Sequence, residues 1–241
     1  MKLNRLSQSL LVLLLLTMVT AGMLSGCVAE PPPPTVVEPP DDEQPEPADN
    51  EEWKDDPYLI LVSARHPLPE NQEPELKAIQ GSFKMEVTAA DAMIAMLQAA
   101  KEEAGINLLV VSSYRSQEKQ RQLFEAKVQQ FLNSGYSQGE AESLAAARVA
   151  RPGTSEHNTG LAADVVTPDH QWLDASFAKT AAAKWMKENC ARFGFILRYP
   201  EDKQEVTGII FEPWHFRYVG IEHAQKIMEQ GLCLEEYLAG E

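Results

Sequence analysis

Basic residues are in short supply: 21 Lys and Arg face 36 Asp and Glu, a formal net charge of −15. That balance excludes a nucleic-acid partner, because such binders need a basic face to displace counterions from phosphates. Cysteine is scarcer. Three in 241 residues are too few for a disulfide-framework miniprotein or a four-cysteine zinc site. If a metal is bound, His and carboxylate must hold it. Long apolar runs are also lacking. The best, Leu10 to Val19, falls short of the roughly 20 residues a membrane-crossing helix needs, and Thr17, Thr20, Gly22 and Ser25 thin what surrounds it. The rest is ordinary: 44% hydrophobic and 24% charged, enough for most of the chain to bury a core.

The N-terminus reads as an address. Lys2 and Arg5 form a short basic start, the apolar run has the length of a signal-peptide core, and small residues lead to Leu24-Ser25-Gly26-Cys27. That string resembles the lipobox of bacterial lipoproteins, which implies cleavage before Cys27 and a diacylglyceryl group on its sulfur. Residues 1–26 are then a signal peptide, and the mature chain is expected outside the cytoplasm, tethered to the membrane without crossing it. Residues 27–57 read as the tether. Nine prolines lie between Pro31 and Pro57, and eleven acids but one lysine between Val28 and Asp56. Such a segment buries too little apolar surface to offset chain entropy and is expected to be disordered, stiffened by proline to about 3.1 Å per residue. The body, residues 58–241, carries 25 acids and 18 bases, so the acidity belongs mostly to the tether and says little about a substrate.

Within the body, helix and strand signals alternate. Thr88 is placed to cap a helix carrying Met93, Met96, Leu97 and Ala100 and ending near Gly105. Leu108–Val111 predicts a buried strand, and Ser112–Ser116 a polar turn. A helix should run from Gln117 to about Leu132, and another from a Ser137/Glu140 capping box to Pro152-Gly153. Leu161–Val166 reads as a strand, and Ser176–Phe193 as one amphipathic helix closed by Gly194. Phe195–Tyr199 and Val206–Phe211 read as a hairpin, with helix again from Val219 onward. Helices grouped around a small antiparallel sheet make the fold class α+β. Tyr58–Glu86 carries no interpretable signal beyond a possible extra strand or edge cover. There is no internal repeat.

Two of the five histidines have informative company. In Ser155-Glu156-His157-Asn158-Thr159-Gly160-Leu161-Ala162-Ala163-Asp164, alternation turns Leu161, Ala163 and Val165 to one face and Ala162 and Asp164 to the other. The small neighbours Gly160 and Ala162 leave room beside the carboxylate, and His157 lies in the loop before it. One His and one Asp suit a zinc ion with three protein ligands and one open position. In Glu212-Pro213-Trp214-His215, Pro213 favours a bend that brings both ionisable side chains inward, with His215 completing the ligand set and Glu212 close enough to act as base. On spacing alone the alternative stays open: a His–Asp hydrogen bond beside an ordinary surface Glu and His. His66 and His170 have no motif company and are read as structural or exposed.

The strings Ser-x-His-x-x-Gly-x-Ala-x-Asp and Glu-x-x-His resemble the VanY-type D-alanyl-D-alanine carboxypeptidases, zinc peptidases of the lysostaphin, D-Ala-D-Ala peptidase and hedgehog fold group. Ser113-Tyr114-Arg115-Ser116 with Gln120, Gly194 through Pro200, Thr207-Gly208-Ile209 and Glu212 through Gly220 extend the likeness over roughly Val87 to Leu238. The resemblance implies that His157, Asp164 and His215 bind Zn2+, that Glu212 is the catalytic base, and that Arg115 meets the substrate and its developing oxyanion. It implies that Gln120 and Ser155 hold the terminal D-alanine. The residues alone suggest a solvent-facing helix position for Gln120 and a loop-capping hydroxyl for Ser155. Trp214 either walls the cleft or packs.

The activity so implied is removal of the C-terminal D-alanine from peptidoglycan stem peptides by metal-activated water. Within the same fold the alternatives are an L,D-carboxypeptidase acting on tetrapeptides or an endopeptidase. In a different class stands a zinc-stabilised wall-binding module, against which the intact Glu212 weighs. Cys190 and Cys233, left once Cys27 is lipidated, either pair or stay buried as thiols. Oligomeric state is not readable from the sequence.

Overall fold

The structure is a computed structural model describing residues 56–69 and 73–240. The expected signal peptide, Cys27 and the tether as far as Asp55 lie outside the described residues. Among those described, no helix is long and apolar enough to cross a membrane.

The segment that carried no signal supplies a hairpin. β1 (Leu76–Gln80) pairs antiparallel with β2 (Phe83–Glu86), so the body has an extra two-stranded sheet. α1 (Val87–Ala104) follows directly. Its cap is Glu86 and not Thr88: the Glu86 carboxylate accepts from the Thr88 and Ala89 N–H groups at 2.9 and 3.0 Å. Thr88 already belongs to the first turn, two residues late for a cap. Gly105 ends the helix in the left-handed region, as expected. Met93 and Met96 are fully buried, a burial contributing roughly 1.5–3 kcal/mol each.

β3 (Leu109–Ser112) leads to α2 (Gln117–Asn133), capped by the Ser116 hydroxyl. α3 (Gln138–Ala146) begins with the anticipated capping box but stops well before Pro152-Gly153. β4 (Ala162–Val166) comes next. The single helix expected over Ser176–Phe193 is broken into a 3-10 turn (Ala175–Lys179), α4 (Ala181–Asn189) and a second 3-10 turn (Cys190–Phe193). Thr180 causes the first break: its backbone is extended and its hydroxyl accepts from the Ala183 N–H at 3.1 Å, a local bond that competes with helix.

β5 (Phe195–Leu197) pairs with β6 (His215–Tyr218), so the expected partner strand Val206–Phe211 does not exist. In its place a 3-10 turn and the one-turn α5 (Gln204–Thr207) are closed by left-handed Gly208, and irregular chain runs on to Trp214. α6 (Ile221–Gln230) and α7 (Leu234–Ala239) end the chain.

The main sheet is antiparallel in the order β3-β4-β6-β5, which bears out an α+β architecture built on a small antiparallel sheet. Its two faces differ in chemistry. Ala163, Val165, Phe195, Leu197, Phe216 and Tyr218 enter the main core with Met93, Met96 and Met186. The opposite face carries Asp164, His215, Arg217 and Ile196, the last packing into a second core with Ile227, Leu234 and Tyr237. Cys190 and Cys233 are free and buried, which settles that pair as thiols, each pushed up to about 12 chiefly by burial.

Gly194, at φ +80°, joins the Cys190–Phe193 3-10 turn to β5. A Cβ there would meet the Tyr218 ring at 2.7 Å and the Gly220 backbone at 3.0 Å. Gly194→Ala is therefore expected to lose about 2–4 kcal/mol, from left-handed strain plus overpacking. A urea melt checks this, and an unchanged midpoint would contradict the close approach.

Candidate metal centre

Register assembles the site. Asp164 sits in the central strand β4 with Ser112 of β3 opposite it on one side and His215 of β6 on the other. Residues directly opposite in an antiparallel pair put their side chains on the same face, so Asp164 and His215 must meet. His215 opens β6 and is not in the irregular chain ahead of it; its N–H still bonds back to the Glu212 carbonyl at 3.1 Å. His157 arrives differently, on a single 3-10 turn (Glu156–Thr159) that ends in left-handed Gly160. Gly160 is confined by close approach too, since a Cβ would come within 2.9 Å of the Glu86 nitrogen.

The three side chains converge with one ligand atom each, all within 4.8 Å of one another and all buried. His157 Nε2 lies 3.3 Å from Asp164 Oδ2, and His215 Nδ1 lies 3.0 Å from Asp164 Oδ1. Each imidazole is held from behind. His157 Nδ1 donates to the Ser113 carbonyl at 2.9 Å, and His215 Nε2 faces Glu156 Oε2 at 3.3 Å. The rings stand nearly perpendicular, their planes at 88°. Two imidazoles and a carboxylate, with outer nitrogens engaged and inner atoms facing each other, form the donor set that zinc takes in a three-ligand site. The electrostatics agree. Burial alone would lower His215, yet the hydrogen bonds with Asp164 and Glu156 raise it to about 9, so the cluster attracts a cation. Burial works against the Asp164 charge as well, but the two imidazoles hold its carboxyl far below the usual range.

Glu212 Oε2 stands 3.8 Å from His215 Nδ1, on the ligand side of that ring. Burial pushes its carboxyl up to about 7; the pull of His215 and Arg115 is outweighed once Asp164 and Glu156 add their repulsion. Arg115 is fixed through its backbone: its N–H donates to the His157 carbonyl at 3.0 Å, and its own carbonyl accepts from Asn158 Nδ2 at 2.7 Å. Burial lowers the guanidinium's pKa, against the attraction of Asp164 and Glu212. Arg115 Nε, Gln120 Oε1 and Asn158 Oδ1 are buried without a hydrogen-bond partner.

The remaining expected residues divide. Gln120 is fully buried on α2 and not solvent-facing, its Nε2 donating to the Ala150 carbonyl at 2.6 Å. Ser155 is buried ahead of the His157 turn and makes no side-chain cap bond. Trp214 is buried and packs into the main core. His66 is exposed against Ser63, and His170 lies against Phe177, away from the cluster.

Three residues were missed in the sequence: Glu156, Arg198 and Arg217, all buried. Glu156 Oε1 accepts from Arg198 Nε at 2.7 Å and from Arg217 Nη1 at 2.8 Å. Burial opposes the Glu156 charge, but the two guanidiniums and His215 hold its carboxyl well below the usual range. Arg217 stands opposite Ala162 in the ladder, taking up the room expected beside that small residue. The available signal was period two: Arg217 lies two residues past His215 and so on the same face of the strand.

A family model described as D-alanyl-D-alanine carboxypeptidase, VanY, matches residues 82–221, which span the whole cluster. The chain belongs to this family. A D-alanyl-D-alanine carboxypeptidase of Enterococcus faecalis (strain ATCC 700802 / V583) is 41% identical over 194 residues, covering 80% of this chain and 68% of the relative. Among solved structures, VanYB in complex with D-alanine-D-alanine is 41% identical with a TM-score of 0.67, covering 76% of this chain and 98% of that one. A variant of the vancomycin-resistance D,D-pentapeptidase VanY in complex with Zn(II) is also 41% identical, with a TM-score of 0.65, covering 76% of this chain and 99% of that one. The fold, the enzyme class and the zinc dependence of this chain follow that family.

His157→Ala and His215→Ala should each abolish stoichiometric zinc. Metal analysis after dialysis of the purified protein checks this, and full occupancy in either variant would remove that residue from the ligand set.

Proposed function

We propose that the protein is a membrane-tethered zinc carboxypeptidase that releases the C-terminal D-alanine from peptidoglycan stem peptides. The observation that carries this reading is the buried convergence of His157, Asp164 and His215 with Glu212 beside it, in a chain of the D-alanyl-D-alanine carboxypeptidase family. A relative of this family, VanYB, is described in complex with D-alanine-D-alanine, which supports the substrate class.

When bound by these three residues, zinc supplies Lewis-acid polarisation of a carbonyl and acidifies a water. The chain's own groups do the rest. Glu212, raised to about 7 by burial, is poised both to take a proton and to return it at neutral pH. It accepts a proton from the attacking water at a carboxylate oxygen and passes it to the departing amine of D-alanine. Arg115 contributes a guanidinium whose backbone is pinned on both sides, so facing a developing oxyanion costs little reorganisation. The partnerless Nε of Arg115 is a buried donor that a substrate carbonyl or carboxylate oxygen would satisfy, and Oε1 of Gln120 a buried acceptor that a substrate N–H would satisfy, which supports their subsite roles. Ser155 is buried with its hydroxyl making no capping bond, which supports the same role for it.

Anchoring rests on the sequence: the Leu24-Ser25-Gly26-Cys27 string and the proline-rich acidic stretch after it support a lipid on Cys27 and an extracytoplasmic body on a long tether.

Glu212→Ala is expected to keep zinc while kcat falls by about 10²–10⁴-fold, the size of a general base's contribution. Alanine release from a synthetic pentapeptide, with a tetrapeptide ending in D-alanine as comparison and a chelator as control, is the assay. Near-normal turnover in zinc-loaded Glu212→Ala would end the assignment, and release from the tetrapeptide alone would redirect it to L,D-cleavage. Separately, Cys27→Ala should move the protein from the membrane fraction to the soluble fraction with kcat unchanged. Membrane retention would refute the lipid anchor.

A further inference from the structure

Behind the ligand cluster lies a second layer of charge that the reaction itself does not use. Glu156 has no exposed side-chain surface, and both its oxygens are engaged. Oε1 is shared by Arg198 and Arg217, while Oε2 faces Nε2 of His215. Neither arginine stops at Glu156. The remaining two nitrogens of Arg198 form a bidentate pair with Glu235 at 2.7 and 2.6 Å, on α7 near the C-terminus. Arg217 Nη2 donates to the Tyr58 and Ile60 carbonyls at 3.0 and 2.7 Å, near the start of the body, and its Nε donates to the Tyr218 carbonyl.

Geometry distinguishes the two nitrogens of His215. An imidazole that gives a proton to a carboxylate through one nitrogen presents a lone pair at the other. For His215 the carboxylate behind the ring is Glu156, on Nε2. The nitrogen facing Asp164 and Glu212 is Nδ1, at 3.0 and 3.8 Å. His157 has the opposite arrangement, with Nδ1 given to the Ser113 carbonyl and Nε2 turned to Asp164. The two ligating histidines therefore use different nitrogens, and only His215 has a charged residue setting its tautomer.

We infer that Glu156 is a positioning residue for the metal centre: it holds His215 as the Nε2–H tautomer with Nδ1 toward the zinc, and is itself held by Arg198 and Arg217, which tie it to the docked Tyr58–Ile60 segment and to α7. This rests on the zinc-peptidase reading above and adds to it a specific ligating atom and a structural route from both ends of the body to one ligand. The two guanidiniums matter because they are buried in different directions. Both hold the same oxygen, Oε1, which leaves Oε2 for His215, and each is itself fixed by a partner far away in sequence. A planar, forked donor suits this task where a lysine would not.

The experiment uses the full chain in detergent and reads the metal without substrate. Nitrogen-15 NMR of the zinc-loaded wild type should show His215 ligating through Nδ1 with its proton kept on Nε2, and His157 ligating through Nε2. Zinc affinity, from competition with a chromophoric chelator, should fall about 10–100-fold in Glu156→Gln, the usual cost of losing an outer partner of a metal-ligating His. Excess zinc should then restore kcat with KM unchanged. Glu235→Gln, which touches no ligand, should weaken zinc by a smaller factor and serves where Glu156→Gln does not fold. His215 bound through Nε2 in the wild type would overturn the inference, as would wild-type zinc affinity in a folded Glu156→Gln or in Glu235→Gln. A wild type that binds no zinc would overturn the zinc reading and this inference together, whereas failure to release alanine with zinc bound as described would touch only the reading.

Discussion

The pairing of β4 with β6 is the constraint on which the centre depends. Asp164 and His215 are 51 residues apart, yet opposite one another in the ladder. Period two makes this an all-or-none arrangement. A slip of one residue would bring Asp164 opposite Phe216 or Trp214 and point one of the two ligands into the apolar core. The same alternation that buries Ala163, Val165 and Phe216 against the methionines of α1 therefore presents the carboxylate and imidazole on the other side. Hydrophobic burial on one face sets the chemistry on the other, and no separate interaction is needed to bring the first two ligands together. The third needs one. His157 is carried by a single tight turn whose glycine lies against the N-terminal hairpin, and its ring is fastened to the carbonyl next to the end of β3.

Much of this was legible in advance, for identifiable reasons. Local chemistry reads well: the Ser137–Glu140 box, the glycine stops at Gly105 and Gly194, and the strand carrying Asp164 all rest on neighbours a few residues apart. The convergence of His157, Asp164 and His215 was legible because residue type, spacing and family resemblance agree. What failed depends on pairing at a distance. Val206–Phe211 has the apolar content of a strand, but the edge of β5 is taken by β6, and Gly208 turns the segment into a helical stop. The long helix after Ser176 failed for a subtler reason, since the Thr180 hydroxyl supplies a local alternative to continuing the helix that periodicity does not register.

Glu156, Arg198 and Arg217 were illegible for a third reason. Singly, each is a charged residue of a type usually found in water, and only their mutual neutralisation permits burial. That neutralisation joins positions 42 and 61 residues apart to a third pair reaching α7, so no window of sequence contains it. Gln120 belongs to the same class: a polar residue on a helix face that looks solvent-exposed until the chain near Ala150 packs against it.

Stability does not account for a buried carboxylate between two buried guanidiniums. Desolvating such a group costs several kcal/mol per ion, and well-packed apolar replacements of similar volume are often as stable or more so. The sheet face around His215 had that option, since Ile196 stands in the same row and packs into an apolar cluster without cost. What an apolar set cannot do is accept a hydrogen bond from the back of an imidazole. A ring held only by packing can flip, exchanging which nitrogen faces the metal, whereas one bonded to a fixed carboxylate has a defined tautomer and a defined plane. The acceptor must also be immobile, and a lone buried glutamate would not be. It stays charged only with cations beside it, and those stay in place only with partners of their own. From that requirement the whole arrangement follows outward, from His215 to Glu156, to Arg198 and Arg217, and finally to Glu235 and the carbonyls of Tyr58 and Ile60.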